Sequence, residues 1–118
     1  MATVLIVDDS RTSRRMLREL LENMGHTVVG EAVNGEDGFI KYKELNPDLV
    51  TLDITMPKLD GIEALQLIRK YNSEAKAVMI TAAGQRDKMV QAIKYGAAEF
   101  ITKPYEQEEV EKILKKII

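Results

Sequence analysis

The feature of this chain that most constrains its fold is a regular alternation along the sequence. Short runs of aliphatic and β-branched residues are each followed by a longer segment with apolar residues at helical spacing, and the pair recurs five times. Apolar runs without polar interruption suit strands covered on both faces. Five such units predict an α/β fold in three layers, with helices on both faces of a five-stranded parallel sheet. The predicted strands are Thr3–Val7, Thr27–Val29, Leu49–Leu52, Ala77–Ile80 and Glu99–Thr102.

Capping residues mark several of the predicted helix ends. Helix one begins near Ser10, carries Met16 and Leu17 on its apolar face, and stops before Gly25 as its C′ residue. Asn34-Gly35 resembles a hairpin turn, but the apolar residues that follow have helical spacing. We therefore interpret Asn34 as a helix N-cap. Pro47 ends that second helix, because proline cannot continue it.

The composition limits the kind of protein this is. A length of 118 residues fits a single domain, which we expect to span residues 1–118 with no effector domain attached. A net charge of −2 argues against nucleic acid as a partner. There are no cysteines, so cysteine-based metal and redox chemistry is excluded. The apolar runs are far shorter than the roughly 20 residues that cross a membrane, and no signal peptide is evident, so we expect a cytoplasmic protein that does not contact membranes.

Polar residues stand where the apolar strands end. Asp8 and Asp9 follow strand one, Asp53 follows strand three, Thr81 follows strand four, and Lys103 follows strand five. In open α/β sheets, ligands bind outside the carboxyl ends of the strands. The sequence therefore predicts a site with three carboxylates, one hydroxyl and one ammonium group at a common edge.

That set of groups favours a particular chemistry. Three neighbouring carboxylates repel one another unless a cation joins them, and Mg²⁺ prefers such hard oxygen ligands. A carboxylate beside the metal can act as a nucleophile and form an aspartyl phosphate. Lys103 and the Thr81 hydroxyl are suited to hold phosphoryl oxygens.

Four segments, in order, resemble the receiver domains of response regulators. They are the run from Val4 to Ser10, the segment from Asp53 to Pro57 with Asp60-Gly61, the triplet Thr81-Ala82-Ala83, and the pair Lys103-Pro104. The resemblance covers the whole chain. It implies the flavodoxin-like strand order 2-1-3-4-5, which is the known order of flavodoxin and of the chemotaxis regulator CheY and does not follow from periodicity.

The resemblance also implies roles for single residues. Asp53 is the expected phosphoacceptor, and Asp8, Asp9, Asp53 and the Thr55 backbone carbonyl are the expected Mg²⁺ ligands. Thr81 and Lys103 are the expected phosphoryl contacts. Thr81 and the aromatic Phe100 would form the switch. The protein would then be a signalling switch rather than an enzyme, catalysing only its own phosphorylation and autodephosphorylation.

Within the family the chain looks most like single-domain, CheY-like chemotaxis regulators. The expected function is to accept a phosphoryl group from a CheA-like sensor histidine kinase and to carry the signal to a partner. That partner is expected to be a flagellar motor switch protein or a phosphatase. The protein is expected to be a monomer. Thr55, Ala83 and Phe100 depart from the enteric pattern of an Asn, an acid and a Tyr. The first two positions influence dephosphorylation in the family.

Two alternatives remain open at the level of sequence. The chain could be a phosphorelay intermediate that passes its phosphoryl group to a histidine phosphotransferase. A phosphatase-like hydrolase is disfavoured, because such enzymes use a second acid two residues after the nucleophile and Thr55 is a poor general acid. The only histidine, His26, is expected in an exposed turn away from the acids.

Overall fold

The computed structural model describes all residues, 1–118, as five strands and five helices in strict alternation. The strands are β1 (Thr3–Val7), β2 (Thr27–Ala32), β3 (Leu49–Asp53), β4 (Ala77–Thr81) and β5 (Glu99–Thr102). The helices are α1 (Arg11–Asn23), α2 (Gly35–Leu45), α3 (Gly61–Tyr71), α4 (Arg86–Lys94) and α5 (Gln107–Lys115). All strand pairs are parallel and the order is β2-β1-β3-β4-β5, which confirms the predicted fold class and strand order.

Two apolar cores lie on opposite faces of the sheet. One face packs against α2, α3 and α4, with Tyr42, Leu65 and Ala92 among its buried residues. The other packs against α1 and α5 through residues such as Leu17 and Leu114. Because the strands are parallel and covered on both sides, their carboxyl ends meet at one edge, where only loops cover them.

Side-chain caps fix where three helices begin. The Ser10 hydroxyl accepts from the Ser13 N–H, and Oδ1 of Asn34 accepts from the Asp37 N–H, which confirms the N-cap predicted at Asn34. Asp60 and Glu63 form a reciprocal capping box at the start of α3. These caps set the helix starts that directly follow the carboxyl ends of the strands.

Some sequence-based expectations differ from the structure. Strand β2 extends to Ala32, because parallel pairing with β1 continues through Gly30 and Glu31, two residues with low strand propensity. Met16 was expected on the apolar face of the first helix but is 45% exposed, since α1 buries only a narrow stripe that includes Leu17 and Leu21. His26 was expected to be exposed but is half-buried, with its Nδ1 accepting from the Ala2 N–H.

No helix of the chain combines the length and the apolar character needed to traverse a bilayer.

Candidate functional site

The carboxyl ends of β1 and β3, which are neighbours in the sheet, bring three acids together. Asp8, Asp9 and Asp53 each place a carboxylate oxygen within 4.8 Å of the other two. Asp8 and Asp53 are buried and Asp9 is exposed. The structure thus assembles the predicted acidic cluster, with two carboxylates below and one at the solvent side.

Lys103 completes the charge arrangement from the far side of the sheet. Its Nζ lies 3.1 Å from Oδ2 of Asp8 and 3.4 Å from Oδ2 of Asp53. Lys103 follows β5, and β4 separates β5 from β3, so the long side chain reaches across one strand end. One cation therefore faces two buried carboxylates.

The Asp8 carboxylate is held firmly on one side and poorly satisfied on the other. Oδ1 of Asp8 accepts from the Ser10 N–H at 2.8 Å. The backbone carbonyl of Asp8 accepts from Nη1 of Arg14 at 2.7 Å. Oδ2 of Asp8, fully buried, has only the ion pair with Lys103 and no hydrogen bond of good geometry. A buried carboxylate oxygen in this state is costly, and a hard cation at this point would satisfy it.

Burial and neighbouring charge displace the acid–base behaviour of the cluster. Burial, and then the charge of Asp8, raise the pKa of Asp53 to about 6, although Lys103 opposes them. Burial alone would lower the pKa of Lys103, but its contacts with Asp8 and Asp53 outweigh burial and raise it. Burial and the same two carboxylates raise the pKa of Tyr105, which stands nearby. Lys103 consequently holds its proton more firmly, whereas Asp53 retains its negative charge less readily.

The expected switch residues lie on the adjacent strands β4 and β5. Thr81, at the end of β4, is 2% exposed, and its hydroxyl is 3.4 Å from the Thr102 hydroxyl on β5. Phe100 is half-buried and packs against the core under α2, α3 and α4. In this structure the Thr81 hydroxyl is therefore engaged with β5.

The loops around the acids contain a contact that the sequence did not predict. The Gln85 amide accepts from the Ala82 N–H at 2.7 Å and donates to the Thr55 hydroxyl at 2.8 Å. The side chain thus joins the loop after β4 to the loop after β3. Thr55, whose backbone carbonyl was expected to bind metal, is exposed. The only sequence signal for Gln85 is its place just before a helix, where glutamine is not a preferred cap.

Two arginine side chains of α1 form ion pairs with β2. Arg14 and Arg18 bind the two carboxylate oxygens of Glu31 at 2.9 and 2.8 Å. Burial would raise the pKa of Glu31, but the two guanidinium groups outweigh it and hold the pKa below its usual value. Arg14 also donates to the backbone carbonyl of Asp8. The ion pair between Arg14 and Glu31 therefore connects α1 and β2 to the acidic cluster. Pairing between a helix and a later strand leaves no local sequence signal.

The donor set fits a hard divalent cation. Three carboxylates from two adjacent strand ends supply oxygen ligands, and the exposed position of Asp9 leaves access for water ligands, which Mg²⁺ retains. An apolar hollow of about 350 Å³, lined by Met24, His26 and Leu114 among others, lies at the opposite edge of the sheet and has no such cluster. The chemistry of the chain is therefore concentrated at the carboxyl edge.

Comparison with known proteins identifies the family. The family model described as response regulator receiver domain matches residues 4–115. The chain is 46% identical to the chemotaxis protein CheY of Thermotoga maritima over 97% of this chain and 95% of that one. It is 44% identical to CheY of Bacillus subtilis over 98% of this chain and 96% of that one.

A solved structure gives the same result. The chain is similar, with a TM-score of 0.92 and 38% identity, to a chain in the crystal structure of the CheX–CheY–BeF3–Mg complex of Borrelia burgdorferi, covering 98% of this chain and 87% of that one. The fold of the chain agrees with that solved structure. The chain belongs to the response regulator receiver domain family.

Proposed function

We propose that this protein is a two-component response regulator that accepts a phosphoryl group on Asp53. The observation that supports it best is the meeting of Asp8, Asp9 and Asp53 with Lys103 at one sheet edge. Structural ion pairs rarely bury two carboxylates against one ammonium group, because the second negative charge remains uncompensated. A site for an additional cation and a phosphoryl group explains the excess of negative charge.

The proposed metal is Mg²⁺, held by the carboxylates of Asp8, Asp9 and Asp53 and by the backbone carbonyl of Thr55. When bound, it would neutralise charge on the phosphoryl oxygens. The buried Asp8 Oδ2, which lacks a hydrogen bond, supports this assignment. Arg14 and Ser10 hold Asp8 in place for it.

The proposed reaction needs little of the protein beyond positioning. An ionised Asp53 oxygen attacks the phosphorus of a phosphohistidine on a partner kinase, the new O–P bond forms, and the P–N bond breaks. The imidazole leaves with its electron pair. Lys103 holds a phosphoryl oxygen as a point charge, and the Thr81 hydroxyl turns from Thr102 to donate to another. The protein is thus a switch whose only catalysis is its own phosphorylation and autodephosphorylation.

The proposed output is chemotaxis signalling in the cytoplasm. The relatives named CheY, at 46% and 44% identity over nearly their full length, support this. The partners would be a CheA-like histidine kinase, a flagellar motor switch protein, and a phosphatase; CheX is found with CheY in the similar complex. The hydrolase alternative gains no support, because Thr55 stands two residues after Asp53, where such enzymes use a second acid.

Binding to a flagellar motor switch protein tests this output. The chain should bind more tightly, by at least fivefold, with Mg²⁺ and beryllofluoride than without them. The Asp53→Ala variant should show the low affinity in both states. Equal affinity of the parent chain in both states would contradict the proposed output without affecting phosphorylation itself.

A further inference from the structure

Gln85 occupies an unusual place at the start of α4. It is the N-cap residue of this helix, yet its side chain makes no capping bond to the helix. Its amide turns instead toward the carboxyl edge of the sheet and bonds to Ala82 and Thr55. The start of α4 therefore has no side-chain cap, and Gln85 instead joins two loops.

The orientation of this amide follows from its partners. The Ala82 N–H is a donor, so the atom facing it at 2.7 Å must be the Gln85 carbonyl oxygen. The amide NH2 then faces the Thr55 hydroxyl at 2.8 Å. Both distances are short for neutral hydrogen bonds. Only one orientation of the amide satisfies both neighbours.

The two loops that Gln85 joins carry the central residues of the site. Thr55 lies two residues after Asp53, and Ala82 directly follows Thr81. Asp53 and Ile80 are partners in the β3–β4 register, and the Ile54 N–H donates to the Ile80 carbonyl at 3.1 Å. The Gln85 bridge therefore crosses directly over the strand ends that carry Asp53 and Thr81.

The Thr81 hydroxyl shows which arrangement this bridge holds. It contacts Thr102 on β5, not a group on β3. To reach a phosphoryl group on Asp53, the Thr81 hydroxyl has to turn away from Thr102 toward β3, and any shift of the Thr81 backbone carries along the loop that begins at Ala82. That loop is pinned to Thr55 by Gln85. The bridge consequently opposes the movement.

We propose that Gln85 is a positioning residue that holds the loop after β4 in its resting place and so limits how readily Asp53 is phosphorylated. This inference rests on the proposed function. Unphosphorylated protein is in equilibrium between the resting conformation and the conformation of the phosphorylated state. The apparent affinity of a ligand that binds only the second conformation is proportional to the fraction of protein already in it. Loss of the bridge should raise that fraction about three- to tenfold, as expected for one or two partly exposed neutral hydrogen bonds.

The test compares Gln85→Leu with the parent and with Gln91→Leu. Gln91 is an exposed residue of the same helix whose side chain makes no hydrogen bond, so the control has the same chemical change without a bridge. Phosphorylation by acetyl phosphate with Mg²⁺, in which acetate leaves as the O–P bond forms, is followed by intact-protein mass spectrometry. Beryllofluoride affinity with Mg²⁺ is titrated in parallel.

We expect Gln85→Leu to be phosphorylated three- to tenfold faster and to bind beryllofluoride more tightly by the same factor, with Gln91→Leu like the parent. Thr55→Val, which removes the hydroxyl but keeps the backbone carbonyl, should give part of the increase. Its effect should not add to that of Gln85→Leu, because both remove one bridge. If Gln85 had a purely structural role, Gln85→Leu would change the melting temperature but would leave the phosphorylation rate and the beryllofluoride affinity equal to those of the parent.

The failures of the two proposals are distinguishable. If the parent chain takes up no phosphoryl group on Asp53, the proposed function is wrong. If the parent is phosphorylated but Gln85→Leu reacts at the parent rate, the bridge does not limit switching. If Gln85→Leu reacts more slowly, the bridge organises the reactive state, and the inference is again overturned.

Discussion

At the scale of single residues, the three acids of the site differ in burial and in the charged groups that they contact. Asp8 is buried and anchored by Ser10 and Arg14, Asp9 is exposed, and Asp53 is buried and contacts Lys103. Burial, together with Asp8, raises the pKa of Asp53 to about 6 from an ordinary value of 3.8. Without a bound cation, ionised Asp53 is therefore a source of instability.

This raised pKa predicts a pH dependence of stability in metal-free protein. A carboxyl group that binds its proton more tightly in the folded state favours folding at low pH. That contribution is complete below pH 4 and is lost as the pH rises through 6. The loss corresponds to at most about 3 kcal/mol for a shift of roughly two units.

Asp53→Asn removes this titration and provides the reference. Urea unfolding with a chelator should show the variant gaining stability over the parent between pH 4 and 7. A difference between the two proteins that stays constant across this range would show that the pKa of Asp53 is not raised.

A second residue-scale prediction concerns Thr51 in the middle of β3. Its hydroxyl is buried, 1% exposed as a residue, and has no hydrogen-bond partner. Replacement by the isosteric valine removes a buried polar group without a partner and should stabilise the fold by about 1 kcal/mol. Thr81→Val, which loses the contact with Thr102, is the matched control and should not gain stability in the same denaturant titration. Destabilisation by Thr51→Val would mean that the hydroxyl has a partner.

At the scale of elements, the start of α3 is packed directly on the end of β3. A Cβ added at Gly61 would overlap the backbone carbonyl oxygen and carbon of Asp53. The Gly61 N–H also donates to the Ile54 carbonyl at 2.9 Å. Glycine is therefore required here by the close approach of two backbones, and the position of Asp53 depends on it.

Gly61→Ala should both destabilise the protein and slow its phosphorylation. Overpacking of this kind costs about 1 to 3 kcal/mol, and here the displaced group is the strand end that carries Asp53. Asp60→Ala is the control, because it removes the N-cap at a similar cost of about 1 kcal/mol but leaves the Gly61 contact unchanged. Denaturant unfolding measures the loss of stability, and the rate of phosphorylation by acetyl phosphate measures the effect on Asp53. Equal kinetics in the two variants would contradict the link between Gly61 and Asp53.

Element bounds were mostly predictable, because apolar period and caps are local signals. Ser10, Gly25, Asn34 and Pro47 predicted the limits of the first two helices, and the observed α1 and α2 begin and end within about two residues of them. The extent of β2 was not predictable, since Gly30 and Glu31 become strand only by pairing with β1. The exposure of Met16 likewise depends on how α1 docks, which periodicity does not specify.

At the scale of the whole molecule, topology places the site. Residues 8, 53, 81 and 103 meet because parallel strands all end at one edge, so motif and fold class together predicted their proximity. The bridge by Gln85 and the pairing of Arg14 with Glu31 could not be predicted, because they depend on loop and helix placement. Sequence therefore predicted which residues assemble, and the structure adds what restrains them.

Mg²⁺ should stabilise the whole fold by linking the ends of β1 and β3. A ligand that binds only the folded state raises its stability by an amount that grows with concentration, about 2.7 kcal/mol at a hundred times its dissociation constant. Asp9→Ala should lose most of this gain, and without metal it should be at least as stable as the parent, because a like charge is removed. Glu44→Ala, an exposed acid of α2, is the control. A thermal shift with Mg²⁺ in Asp9→Ala equal to that of the parent would contradict the metal site.

The central claim, that Asp53 is the phosphoacceptor, is tested most directly by intact-protein mass spectrometry after reaction with acetyl phosphate and Mg²⁺. The parent chain should gain one phosphoryl group, about 80 Da by the mass of HPO3, and a chelator should prevent the gain because the acids need their cation. Asp53→Ala should remain folded and gain none. Stoichiometric labelling of Asp53→Ala, or none of the parent, would contradict the account.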